Sequence, residues 1–393
     1  MVAVKPLRPK RTVRLAVVHW FPLEQFPPAF NLLNTFANDS RFEVLCCTTS
    51  GGVAAAVYLD PRARVVRTPF PERSVSRLRR LCRFLSFPLL VFWNLLWFRP
   101  SAVLYFEPHS APGVALYRLF SRCRVLIHYH EYREPGHLAA SGNAIARLGA
   151  TVERYFLHRQ AEWISHTNKQ RVELFLRDNP QIQPSQMQTM PNFPPPSWQE
   201  LLDKRPREKS VPPLRLVYVG AVSIRDTWIV EFLDWLDTQT PGKLQLDLYI
   251  STTDIETRTL LRTRPRSFVR VFSPGVSYDC LPDLLQSYDV GLILYKGTTE
   301  NYVWNAPNKL FEYLSCGLEV WYPREMRGIP PTLEEFGIEC GVELDFSKLP
   351  QEAPTLRSLA ETPALQERTP LPRNVNCVRV IQPMMQKLLF AFD

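Results

Sequence analysis

The chain has 393 residues, 45% of them hydrophobic and 22% charged, with 47 Lys and Arg against 38 Asp and Glu for a formal charge of +9. A composition this apolar excludes a disordered polymer, which cannot bury enough surface to offset ordering entropy. The length fits two domains, each large enough to bury a core without staples. The cysteines, among them Cys46, Cys47, Cys123 and Cys316, sit mostly in apolar runs with no CxxC or close Cys/His set, which argues against a disulfide framework and structural zinc. The N-terminal segment is basic but lacks the apolar run and small-residue cleavage site of an export signal, so a cytoplasmic location is expected. Proline is abundant (36) and glycine scarce (15), which favours rigid turns over a Gly-rich phosphate loop.

In chain order, Val13 to His19 (VRLAVVH) reads as a strand, FPLEQFPP as a Pro-broken loop, and AFNLLNTFA as a helix with Phe30, Leu33 and Phe36 on one face. RFEVLCCTT and ARVVRTP are the next strands, then SAVLYFEP and CRVLIHYHE, with the helical APGVALYRLF between them. Ala144 to Leu157 has helical spacing and AEWISHTN reads as a strand ending in a polar turn. From about Pro180 to Pro213 the texture turns to Pro, Gln, Lys and Ser with little periodicity, the expected linker. Alternation then restarts: LRLVYVG, the helical TWIVEFLDWL, KLQLDLYI and RSFVRVFS, the helical CLPDLLQSY, DVGLILY, the helical PNKLFEYLSCG and the strand EVWYP. Strands alternating with helices predict two parallel-sheet α/β domains, residues 1–205 and 206–375, and a last apolar helix over 376–393. No short-period repeat suggests a solenoid.

Arg73 to Arg99 combines an arginine cluster with an apolar, aromatic-rich run from Phe84 to Phe98, 15 residues interrupted by Ser86, Pro88 and Asn94. A spanning helix needs about 20 apolar residues, so a transmembrane span is not expected. Two readings stay open. The Leu-rich second half reads as a core helix, while Arg77, Arg79, Arg80 and Arg83 can meet anionic lipid with Trp93, Trp97 and Phe98 at the headgroups. Nucleic acid is not an expected partner, because the basic residues are dispersed and no recognition module accompanies them.

The most informative stretch is Asp289 to Pro323, a strand, a polar loop, a helix opened by Pro307 and closed by Gly317, and a strand. Free N–H groups of that first helical turn form an anion site, Lys309 adds charge, and Glu312 can accept two hydrogen bonds from a ribose diol. The alternative is a surface ion pair between Lys309 and Glu312 at i and i+3; spacing does not choose between them.

Pro307, Lys309, Leu310, Phe311, Glu312, Tyr313, Leu314 and Gly317 together resemble the donor-nucleotide motif of Leloir glycosyltransferases of the GT-B fold, group 1 class. LVYVGAVSIRD resembles the first strand and turn of that class's donor domain, PNF (Pro191 to Phe193) the element closing its acceptor domain, and VERYFLHRQAEWISHTN the helix and strand before it, so the likeness covers most of the chain. It implies two Rossmann-like domains facing a cleft, a nucleotide-sugar donor held mainly by the C-terminal one, and a last helix crossing back to the first. Carried over by position, Glu312 binds the donor ribose, and Asn305, Pro307, Lys309 and the helix N-terminus lie near the diphosphate. Gly220 and Arg225 form the phosphate turn, Arg225 alternatively being a solvated loop charge. Two cations and a helix dipole suffice for a diphosphate without a metal. Metal independence is therefore expected, with no cofactor beyond a UDP- or GDP-sugar co-substrate.

The chain also departs from the class. Many retaining members carry a Glu eight residues before the ribose-binding one; here that position is Trp304, with Glu300 out of register, so sugar contact falls to Tyr302 through Asn305. The loop His19 to Pro28 lacks the glycines often found beside the phosphates. IHYHEYREPG places His130 and Glu131 at a strand end, where ligands gather in open α/β sheets. Class members commonly have a His there, and His130 can bond sugar hydroxyls or take a proton; a His satisfied by backbone is the alternative. Glu107 and His19 are weaker candidates for acceptor contact. The expected activity is transfer of a sugar to a hydroxyl acceptor, such as a glycan, glycolipid or small molecule. A catalytically silent nucleotide-sugar-binding protein and an epimerase are the alternatives.

Overall fold

The computed structural model describes residues 12–51, 61–71, 76–134, 144–204, 213–338, 341–349 and 371–390. The basic N-terminal segment, Arg73, the end of the His130 motif at Gly136, the 205/206 boundary and the final three residues lie outside them. The chain divides into two compact units, Met1–His166 with Phe175–Gln188 and Ile381–Asp393, and Thr167–Leu174 with Thr189–Val380.

The first unit is built on a seven-stranded sheet: β1 (Val13–His19), β2 (Phe42–Ser50), β3 (Ala63–Pro69), β4 (Ala102–Phe106), β5 (Arg124–Tyr129), β6 (Ala161–His166) and β7 (Met187–Thr189) in the order β3-β2-β1-β4-β5-β6-β7. Pairing from β3 through β6 is parallel. Every residue of β4 is buried, as expected of a central parallel strand covered on both faces. The helices α1 (Pro27–Ala37), α2 (Arg77–Phe98) and α3 (Glu107–Arg118) follow β1, β3 and β4. The end of the last helix, Cys377–Phe390, belongs to this unit, where the Arg124 guanidinium donates to the carbonyl of Lys387 at 3.0 Å.

The second unit carries a six-stranded parallel sheet, β8 (Leu214–Val222), β9 (Leu244–Thr253), β10 (Val269–Phe272), β11 (Val290–Leu292), β12 (Glu319–Pro323) and β13 (Val342–Leu344), ordered β10-β9-β8-β11-β12-β13. Along β8 the side chains alternate between two cores: Leu216 and Tyr218 pack with Phe232, Trp235 and Trp321, whereas Val217 packs with Leu310, Phe311 and Tyr313. That is the period of two of a strand buried on both faces. Both sheets step outward from a first strand and then reverse, the doubly wound Rossmann arrangement, so each has a switch point at the carboxyl ends of its strands.

Three expectations are corrected. Residues 189–204 belong to the second unit rather than to a first domain ending at 205, and the supposed linker is partly ordered into β7 and the helix Ser197–Lys204. The reason is apolar anchoring: Phe193 lies 4.4 Å from the Phe311 ring and 4.9 Å from Phe336, and Trp198 joins the same core. Second, the Leu-rich half of α2 is not simply interior, since Leu89, Trp93 and Trp97 are exposed beside buried Val91 and Leu95, while Phe98, expected at headgroups, is buried. Third, Glu107 does not end a strand; it opens α3 with φ of 62°, a left-handed conformation for a non-glycine residue.

Candidate functional site

The helix Asn308–Ser315 is fixed to the second sheet through Tyr313. Its ring covers Gly291 of β11, where a Cβ would come within 2.3 Å of it, and its hydroxyl accepts a 3.0 Å hydrogen bond from the Val219 N–H. Pro307 caps the helix without a side-chain acceptor, and Asn308 accepts from the Asn192 amide at 2.8 Å, tying the PNF element to the helix start. This anchoring holds Lys309 against the carboxyl end of β8.

Lys309 is 7% exposed, and its Nζ has no hydrogen-bond partner. The ammonium lies over two aromatic faces, 4.1 Å from the Tyr218 ring centre and 4.6 Å from that of Tyr295. Gly220, with φ of 136°, ends the space: a Cβ there would be 2.9 Å from Nζ. Burial pushes the Tyr218 phenol up to about 12 against the pull of Lys309, so this phenol stays neutral beside the ammonium. A buried ammonium without a hydrogen-bond partner is incompletely compensated. Glu312 is also buried, so the surface-pair alternative is not realised. Burial raises its carboxyl to about 7, opposed by the charge of Lys309.

Tyr302 stacks on Tyr295 with ring centres 5.4 Å apart, extending the aromatic wall. The short helix Glu300–Val303 and the turn to Asn305 are held by residues the sequence reading did not single out. Asn168 donates to the Trp304 carbonyl at 2.7 Å, the buried Arg171 donates to the Asn301 carbonyl at 2.9 Å, and the Gly328 N–H donates to the Val303 carbonyl at 2.9 Å. Asn305 continues this turn, its N–H donating to the Tyr302 carbonyl at 3.2 Å. Arg225 is exposed on the turn after β8, which Ser223 and Asp226 close on each other at 2.8 Å. Lys296, by contrast, is fully occupied, donating to Glu231 at 3.0 Å and to the Ile224 carbonyl at 3.3 Å.

In the first unit, three of the four candidates come together at the ends of β1, β4 and β5. His19 is fully buried, with Nδ1 2.7 Å from the Phe21 carbonyl oxygen, and burial pulls its pKa down to about 4. His130 stacks on Phe106 at 5.0 Å and lies 5.9 Å from His19. Glu107 accepts the His130 backbone N–H at 3.0 Å and meets the Arg133 guanidinium at 3.0 Å, while burial raises its carboxyl. Its carboxyl is thus engaged by the His130 backbone and by Arg133 rather than presented open. Glu131 is not in this cluster: it is exposed, beside a cavity of about 340 Å³ lined also by Tyr129, Arg133, Glu153 and His158. Among the described residues, no group of three or more His, Cys, Asp or Glu side chains is gathered as a metal site.

Two doubly wound parallel sheets, each with polar residues at its strand ends, define the class: the chain has the GT-B glycosyltransferase fold. Residues 34–192 match the family model of the glycosyl transferase 4-like domain. Solved structures of similar fold include the Anabaena protein Alr3699/HepE in complex with UDP and glucose (TM-score 0.62, 11% identity, 95% of this chain and 98% of that one). A putative UDP-N-acetylglucosamine 2-epimerase from Listeria monocytogenes matches with TM-score 0.61 at 10% identity over 97% of both chains. Sucrose-phosphate synthase from Thermosynechococcus elongatus matches with TM-score 0.56 at 15% identity over 96% of this chain and 97% of that one. No curated protein matches the chain in sequence.

Proposed function

We propose that this protein is a glycosyltransferase that moves a sugar from a UDP- or GDP-sugar to a hydroxyl acceptor in the cytoplasm. The observation that carries this reading is the Lys309 ammonium, buried between Tyr218 and Tyr295 beside Gly220 with no anion of its own. A diphosphate supplies the missing acceptor. As the sugar leaves, charge develops on the β-phosphate, and a preplaced cation at a helix start stabilises that charge more in the transition state than in the ground state. Glu312, one turn along, takes the ribose diol, and the exposed Arg225 adds a second cation, so no step is assigned to a metal ion. In the first unit, His19, its pKa drawn down to about 4 by burial, and His130 offer ring nitrogens for hydroxyl groups.

An epimerase is the second reading, favoured by the 2-epimerases among the structural neighbours and by Trp304 in the place of the Glu that many retaining transferases use. Thermal unfolding with UDP and with GDP, followed by turnover of the corresponding sugar nucleotides, tests the assignment. One nucleotide is expected to raise the unfolding midpoint of the parent, with the shift reduced in Lys309→Ala and Glu312→Ala. Equal shifts in all three proteins would remove the site assignment. Conversion of the sugar nucleotide without an acceptor would favour the epimerase, and binding with no turnover across a broad acceptor panel a silent binder.

A further inference from the structure

Helix α2 is apolar on two opposite faces. Phe87, Val91, Leu95 and Phe98 are buried, and Gly113 of α3 lets the two helices close up: a Cβ there would fall 2.7 Å from the Val91 Cβ. The other face is a continuous stripe of Leu78, Leu81, Leu85, Leu89, Trp93 and Trp97, each between 49% and 72% exposed. It runs the length of a 22-residue helix, about 33 Å at 1.5 Å per residue. Leu119 and Phe120, also exposed, widen it, with the Phe120 ring 5.8 Å from Phe92. Single exposed leucines are ordinary on a protein surface, but an unbroken stripe marks a surface that is covered in use.

Charge identifies the cover. Arg77 and Arg79 are exposed at the start of α2, Arg99 and Arg122 beyond its far end, and the Arg64 guanidinium sits 4.4 Å from the Trp97 ring. The sequence from Arg77 to Phe106 contains no Asp or Glu. A second copy docked on this face would set arginine against arginine whether the helices ran parallel or antiparallel. Nucleic acid would satisfy the arginines but leave the leucines and tryptophans on a charged backbone. An anionic bilayer satisfies both, with phosphates for the arginines and an acyl boundary for the stripe.

We propose that α2 is an in-plane membrane anchor, lying along an anionic lipid surface with Trp93 and Trp97 at headgroup level. The helix passes length and composition tests for crossing a bilayer. Spanning would nevertheless strip Phe87, Val91, Leu95 and Phe98 from the core of the first unit, so the helix lies on the membrane rather than through it. The anchor is independent of the nucleotide chemistry and is tested separately from it.

Flotation of the full chain with vesicles of phosphatidylcholine alone, and with about 30% phosphatidylglycerol added, reads the anchor directly. Binding is expected only to the anionic vesicles, weakening with salt and accompanied by a blue shift of tryptophan emission. The triple variant Arg77→Gln, Arg79→Gln, Arg80→Gln is expected to lose binding on the order of a hundredfold, at about 1 kcal/mol per arginine near the surface. The triple variant Leu85→Ser, Leu89→Ser, Trp93→Ser is expected to lose it altogether. Both keep the parent's circular dichroism and unfolding midpoint, because every altered side chain is at least partly exposed. Equal binding to neutral and anionic vesicles, or parental binding by both variants, overturns the proposal. So does a lipid-free dimer that the serine variant dissolves, with no vesicle binding, which would assign the face to a second copy.

Discussion

The two sheets share a strand order yet end in opposite chemistry. At the strand ends of the first unit the space is filled by rings: His19, Phe106 and His130 pack at centroid distances of 5.0 to 5.9 Å, and the buried carboxylate of Glu107 is used up on backbone and on Arg133. At those of the second, Gly220 leaves room and Lys309 leaves a charge unanswered. A topology that gathers ligands at strand ends therefore does not decide which ligand. An uncompensated cation suits a diphosphate, and a histidine with its backbone held by a carboxylate suits a hydroxyl.

The sharpest way to break this contrast is to remove the cation. Lys309→Met is expected to cost nucleotide-sugar binding about 1.5–3 kcal/mol, the worth of a charged hydrogen bond. It should also raise, not lower, the unfolding midpoint of the free protein, because the ammonium has no acceptor before the ligand arrives. Calorimetry checks both, and a midpoint that falls would mean Lys309 is structural. In the first unit, Glu107→Gln keeps the size of the side chain but weakens its hold on His130 and Arg133. It is expected to lower kcat by about tenfold, about 1–2 kcal/mol, with the KM for the donor unchanged. A rise in donor KM instead would merge the two roles that the comparison separates.

A further effect is in pH. The Glu312 carboxyl is raised from its ordinary 4.5 to about 7, so its protonated form is favoured in the folded protein. The stability tied to it is full below about 4.5 and is lost as pH rises through about 7. Unfolding midpoints of the free protein should decline across that window, and Glu312→Gln should flatten the decline. Affinity for a sugar nucleotide, whose diphosphate has no proton to lose there, should move the other way and strengthen as pH passes about 7, because the ionised carboxylate accepts the diol. A variant with the parent's pH profile would remove Glu312 from the site.

Much of this architecture is legible one residue after another. Alternation of period-two and period-3.6 segments announces two parallel-sheet units, and Pro307, Lys309, Glu312 and Gly317 mark a capped, charged helix between two strands. These are local properties, set by neighbours within a turn or a strand, and local properties survive into any fold. What the tertiary structure alone decided is which distant side chains those residues meet. Tyr218 and Tyr295 reach Lys309 only because β8 and β11 are neighbours in the sheet. Phe193 and Trp198 leave the expected linker because a core more than a hundred residues further on receives them. Glu107 turns from acceptor candidate to support for His130 because β4 lies beside β5 and the chain there adopts a left-handed bend. The stripe on α2 is the same case in reverse: its spacing is written in the sequence, but which of its two apolar faces stays uncovered follows from where the helix docks.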